Sequence, residues 1–98
     1  MIELNLSKLD SDWKNDQFNY VGQGKSERDE SKIEFYQNAF VNKSTVDAPI
    51  LYFPNINSPS LTFVDGRHRT IVCIENEVQS IPFVVPAEQA ELFLSKYG

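Results

Sequence analysis

The chain opens on an alternation. Ile2, Leu4 and Leu6 are separated by Glu3 and Asn5, a period of two that predicts a short strand with one face exposed. From Asp10 to Gly24 the pattern loses any clean period. Trp13, Phe18 and Tyr20 fall inside that stretch, which reads as a loop packed down by aromatic side chains. Ser26 followed by Asp29 fits a helix-starting box. Beyond it Ile33, Tyr36, Phe40 and Val41 recur at helical spacing, and Glu27, Arg28, Glu30 and Lys32 are left for solvent. A helix from about Ser26 to Val41 follows.

The second half is richer in β-branched and aromatic residues. Pro49–Pro54 and Leu61–Val64 are short apolar runs bounded by Pro, Asn and Ser, and both predict strands. The turn-rich segment Asn55–Ser60 between them allows a hairpin or a looser crossover. Asp65-Gly66 ends the second run. Ile71, Ile74 and Val78 then share one side at i, i+3 and i+7, predicting a helix from about Arg67 to Asn76. Ile81–Val85 is a continuous apolar strand of the kind found in a sheet covered on both faces. Pro86 suits the first position of a last helix, with Ala90, Phe93, Leu94 and Tyr97 as its buried stripe. The order β, α, β, β, α, β, α describes a small mixed α/β domain, with α+β character and about three helices.

Composition narrows the picture. Ninety-eight residues make one domain, 1–98, and leave little room for a second. Leu, Ile, Val and Phe supply about three in ten residues, well above the roughly one-fifth below which chains stay disordered. The net charge of −5 disfavours a protein that coats DNA or RNA by neutralising phosphates. One cysteine and one histidine build neither an internal disulfide nor a structural zinc site. No apolar run reaches the ~20 residues of a membrane span. The first ten residues lack the basic and then apolar regions of a signal peptide. A soluble cytoplasmic domain is the expectation.

The chemistry concentrates in Phe63-Val-Asp65-Gly66-Arg67-His68-Arg69-Thr70. An apolar strand runs straight into Asp-Gly, and three cationic or titratable residues open a helix. The first amides of a helix lack internal partners and lie at the positive end of its dipole. Gly66 lets the backbone turn sharply and approach a ligand. Arg67 and Arg69 can fork onto phosphate oxygens, and His68 can donate to phosphate or move a proton. Asp65 would compete with a bare phosphate if it capped the helix. A ligand arriving with Mg²⁺ held by Asp65, or a hydroxyl that Asp65 deprotonates, reconciles it with the arginines. The alternative is a structural Asp-Gly turn flanked by solvated basic residues.

Gly66-Arg67-His68-Arg69, with the strand before it and Ile81-Pro82-Phe83-Val84-Val85 after the helix, resembles the ParB/sulfiredoxin superfamily over about residues 49–86. The resemblance implies a small α/β fold whose motif loop binds nucleotide phosphates, with Gly66, Arg67, Arg69 and Thr70 at the phosphate and ATP or another nucleotide as ligand. Nucleotide hydrolysis, phosphoryl transfer and nuclease action all occur in the superfamily. By that implication Asp65 and His68 would be catalytic, Asp65 would hold Mg²⁺, and the arginines would offset charge on the phosphoryl oxygens. Sulfiredoxins carry their catalytic cysteine where Arg67 stands, so that chemistry is not expected here. Centromere binding, which needs a further helical region, is not expected either. Asp65–Arg69 is similar to the motif of plasmid fertility inhibition factors. These are mobile-element proteins that block conjugative DNA transfer and are associated with ATPase and DNase activity. That implies a partner within a DNA-transfer or DNA-processing machine. The competing reading is a catalytically quiet module on the same fold that inhibits or scaffolds a protein partner.

Other signals are weaker. Gly24-Lys25-Ser26 matches the end of a P-loop but lacks the earlier glycine, since Asn19 stands there. Lys25 or Arg28 could still fold over a bound phosphate. Asp10, Asp12 and Asp16 have the spacing of calcium ligands without the glycine or closing glutamate of a calcium-binding hand. Glu75 and Glu77 are read as solvent-facing, Cys73 as a small buried residue, and Trp13, Phe18 and Tyr20 as packing residues rather than a base-stacking platform.

Overall fold

The computed structural model describes residues 1–57 and 60–98. Strand β1 (Ile2–Asn5) passes directly into helix α1 (Leu6–Trp13). Leu6 therefore belongs to the helix, not to the strand its alternation suggested. Asn5 makes the switch, its side-chain oxygen accepting from the Lys8 amide at 3.0 Å. Leu6, Leu9 and Trp13 then face the core on one helical stripe. The expected loop from Asp10 is thus helical as far as Trp13, which brings the α-helices to four among the described residues.

Helix α2 (Glu30–Val41) begins four residues later than predicted. Asp29 is its cap, accepting from the amides of Ser31 at 3.0 Å and Lys32 at 3.4 Å. No residue of α2 is buried. Ile33 and Tyr36 are half-buried, but Phe40 and Val41, placed on the inner stripe by spacing alone, are exposed. The helix rests on α3 and little else, so it turns a narrower face inward than its apolar positions imply.

Strands β2 (Ile50–Tyr52) and β3 (Thr62–Asp65) pair antiparallel, with Leu51 opposite Phe63. Ser58 and Pro59, within the turn expected over 55–60, lie outside the described residues. Helix α3 (Arg67–Glu75) follows, then strand β4 (Ser80–Phe83), which pairs antiparallel with β1. A parallel bridge joins the two ribbons: the Leu51 amide donates to the Val84 carbonyl, and the Val84 amide to the Pro49 carbonyl, each at 2.9 Å. The strand over β4 was expected to be covered on both faces. Phe83 is buried but Val84 and Val64 are exposed, so the outer face of the sheet is open.

After Pro86 a 3-10 turn, Ala87–Gln89, precedes helix α4 (Ala90–Tyr97). Phe93 and Tyr97 are buried as predicted, whereas Leu94 is exposed. Gln89 stands beside β2 as a strand would: its amide oxygen accepts from the Phe53 amide at 2.8 Å and its nitrogen donates to the Phe53 carbonyl at 2.9 Å. The core is aromatic at both ends. Phe53 stacks on Phe93 with ring centres 4.0 Å apart, and Trp13 packs against Phe63 at 4.6 Å. Among the described residues no helix is long and apolar enough to cross a membrane.

Candidate functional site: a cleft at the start of helix α3

Gly66 links β3 to α3 in a left-handed conformation, φ +96°. Two constraints require glycine there. Positive φ strains any L side chain, and a Cβ would lie 2.6 Å from Cβ of Pro49. The turn therefore lies flush against the start of β2, and α3 leaves it with no side-chain cap. The Gly66 carbonyl accepts from both the amide and the hydroxyl of Thr70, at 3.0 and 2.9 Å. The amides of Arg67, His68 and Arg69 have no acceptor among the described residues.

Arg67 and His68, with Gly66, line a cleft of about 510 Å³. Ser31, Lys32, Phe35 and Tyr36 of α2 form one wall. Phe63, Val64 and Asp65 of β3 form the other, with Gly66, Arg67 and His68 between them. Sequence reasoning missed the α2 wall, because Lys32 and Phe35 show no feature that separates them from ordinary helix-surface residues. Asp29 was the usable signal. As the cap of α2 it fixes where that helix starts, and hence which residues face β3.

The motif side chains divide in two directions. Arg67 lines the cleft; its Nη1 donates to the Asn19 carbonyl at 3.2 Å and lies 3.7 Å from Glu27. Arg69 does not line it. Its guanidinium is buried, its Nη2 donates to Asp65 Oδ2 at 2.6 Å, and it lies over the Tyr36 ring at 5.6 Å. Its Nε is buried without a partner. Asp65 thus turns toward Arg69 rather than back over the helix amides. Thr70 is wholly buried, and Lys25 is not part of the cleft wall.

His68 is a structural connector. Its Nε2 accepts from the Asp29 amide at 3.0 Å, joining α3 to the start of α2. Burial, followed by the nearby charges of Arg67 and Lys32, holds its pKa below the usual histidine value; Asp29 and the Glu27 backbone oppose that shift. The neutral ring with an unprotonated Nε2 is the form this contact needs. In that state Nε2 has no proton to donate to a ligand.

Asp65 is the only carboxylate on the cleft wall among the described residues, and its Oδ2 is paired with Arg69. Its Oδ1 has no protein partner among the described residues, and one carboxylate beside a substrate phosphate is a donor set Mg²⁺ accepts. The acidic triplet also separates. Asp10 accepts from Tyr20 Oη at 2.8 Å, Asp12 from Tyr97 Oη at 2.8 Å, and Asp16 from the amides of Phe18 and Asn19. Arg28 does not reach the cleft. It forks onto Glu75 at 2.7 and 3.1 Å and donates to the Val21 carbonyl at 3.1 Å, so Glu75 is not a free surface carboxylate. Trp13 and Tyr20 pack edge to face at 4.8 Å, while Phe18 is exposed.

No known protein family, curated protein or solved structure matches the chain.

Proposed function

We propose that the domain binds a phosphorylated ligand in the cleft at the start of α3, and that it holds this ligand without turning it over. The observation that carries the reading is the meeting of the uncapped start of α3, Gly66 to His68, with Lys32 and Ser31 of α2 on one cavity. Amides at a helix start favour an anion, and the two cationic side chains give the same end of the cavity a positive sign. The similarity of Gly66–Arg69 to the ParB/sulfiredoxin phosphate loop supports the same assignment, with main-chain amides rather than Arg69 as the principal contacts. Binding is favoured over catalysis because Asp65 is tied to Arg69 and Nε2 of His68 is tied to Asp29. Both therefore have structural partners of their own before any ligand arrives.

The test is titration with phosphoserine, followed by the backbone amide resonances of the domain. Saturable shifts centred on Arg67, His68 and Arg69 are expected. Lys32→Ala should weaken binding by about tenfold, the lower end of what one charge-assisted hydrogen bond contributes. Unmoved resonances at those three positions would overturn the reading.

A further inference from the structure

The second wall of the cleft is the margin of a sheet. The Leu51 amide donates to Val84, so the polar groups of Leu51 point toward β4 and away from β3. Phe63 lies directly opposite Leu51 in the antiparallel pair. Polar groups alternate in direction along such a ladder, so Leu51 and Phe63 form a non-hydrogen-bonded pair. The N–H and C=O of Phe63 therefore point outward, away from β2. Phe53 fits the same phase, since its N–H and C=O are taken by Gln89 rather than by β3. No strand lies on the far side of β3 among the described residues, and the cleft takes its walls from β3 and α2 and none from β2.

We infer that the phosphoryl group reaches this cleft on an extended peptide, whose main chain adds to β3 as a further strand while the phosphate meets the α3 amides. The inference rests on the phosphate reading of the site. An unpaired strand edge is a template for another chain, and strand addition supplies main-chain affinity while flanking pockets select side chains. The apolar surfaces of Phe35, exposed on α2, and Val64, exposed on β3, flank the path. A nucleotide would leave the Phe63 groups unpaired. A long nucleic acid would in addition meet a chain of net charge −5. One phosphoryl group on a peptide needs only the local positive end formed by Lys32, Arg67 and the helix.

The experiment uses a pool of phosphoserine-centred peptides ~six residues long with randomised flanks, the same pool without phosphate, free phosphoserine, and ATP. Hydrogen exchange at the Phe63 amide is read beside the resonances of Arg67, His68 and Arg69. The expected result is enrichment of phosphopeptides that bind about tenfold or more tighter than phosphoserine and slow exchange at Phe63, which phosphoserine and ATP leave unchanged. N-methylation of the peptide bond that pairs with Phe63 should remove the gain. A response to phosphoserine with no peptide protecting Phe63 would overturn strand addition and leave the phosphate reading standing. Protection of Phe63 by the unphosphorylated pool, with phosphoserine silent, would overturn the phosphate reading and the phosphopeptide with it. Tight ATP binding with Phe63 unprotected by any peptide would assign the cleft to nucleotides instead.

Discussion

Gly66 is held by two constraints at once. Its left-handed φ and its contact with Pro49 act together. Gly66→Ala must either shift β2 or abandon the turn. We expect a loss of about 1–3 kcal/mol from backbone strain, read as a lower urea midpoint, together with loss of the phosphoserine response. The sequence pointed to this residue correctly, because Asp-Gly before a run of basic residues marks a turn by its own chemistry. The two arginines differ in one respect that was not used: Arg69, not Arg67, stands four residues after Asp65. Arg67 and Arg69 are equally cationic on paper, and what directs Arg69 inward is Asp65 four residues before it on the same side and Tyr36 from a distant helix. The i,i+4 spacing of Asp65 and Arg69 is local, but the Tyr36 ring that covers Arg69 comes from a distant helix and leaves no local signature. His68 is similar: its partner is the main chain at Asp29, which no side-chain pattern records.

At the scale of elements, Arg28 ties the segment between α1 and α2 to α3, beside the contacts of Tyr20, Asn19 and Asp29. Arg28 is almost wholly covered and reaches Val21, Glu30 and Glu75 together. Arg28→Met should lower stability by about 1–3 kcal/mol, because Glu75 and the Val21 carbonyl both lose a charged donor. Arg28→Lys should restore little of it, as an ammonium cannot reproduce the fork. Paired urea denaturation of the two variants checks both statements. The strands and α3 were legible in the sequence because Leu51, Phe63, Ile71 and Phe83 lie in runs whose period matches their element. Helix α1 was not, because Leu6 satisfies both an alternating and a helical pattern, and only the Asn5 cap decides between them. Helix α2 was legible as a helix but not in its orientation. Its apolar residues spread around the axis, and the face that docks is chosen by α3.

Across the whole molecule, pH acts through the one histidine. Folding holds the His68 pKa below its usual 6.5. As pH falls through that value the unfolded chain takes up a proton that the folded chain refuses, so stability decreases toward acid. The Asp29 carboxyl, held low first by its bond from the Ser31 hydroxyl, acts in the same direction but only below its usual 3.8, so the two windows separate. Urea midpoints should therefore drop between pH 7.5 and 5.5. His68→Gln, which keeps an acceptor for the Asp29 amide without titrating, should flatten that part of the profile. An unchanged slope in the variant would place the acid sensitivity elsewhere.

The lone sulfhydryl draws these scales together. Cys73 sits on α3, half-covered, beside the groove where Tyr36, Ala39 and Phe40 of α2 come down. Burial raises its pKa, which lowers the thiolate fraction that an alkylating reagent attacks. Because the thiol borders α2, its rate of modification reports how closely that helix packs on α3, and cargo held between Lys32 and the opposite wall should slow it.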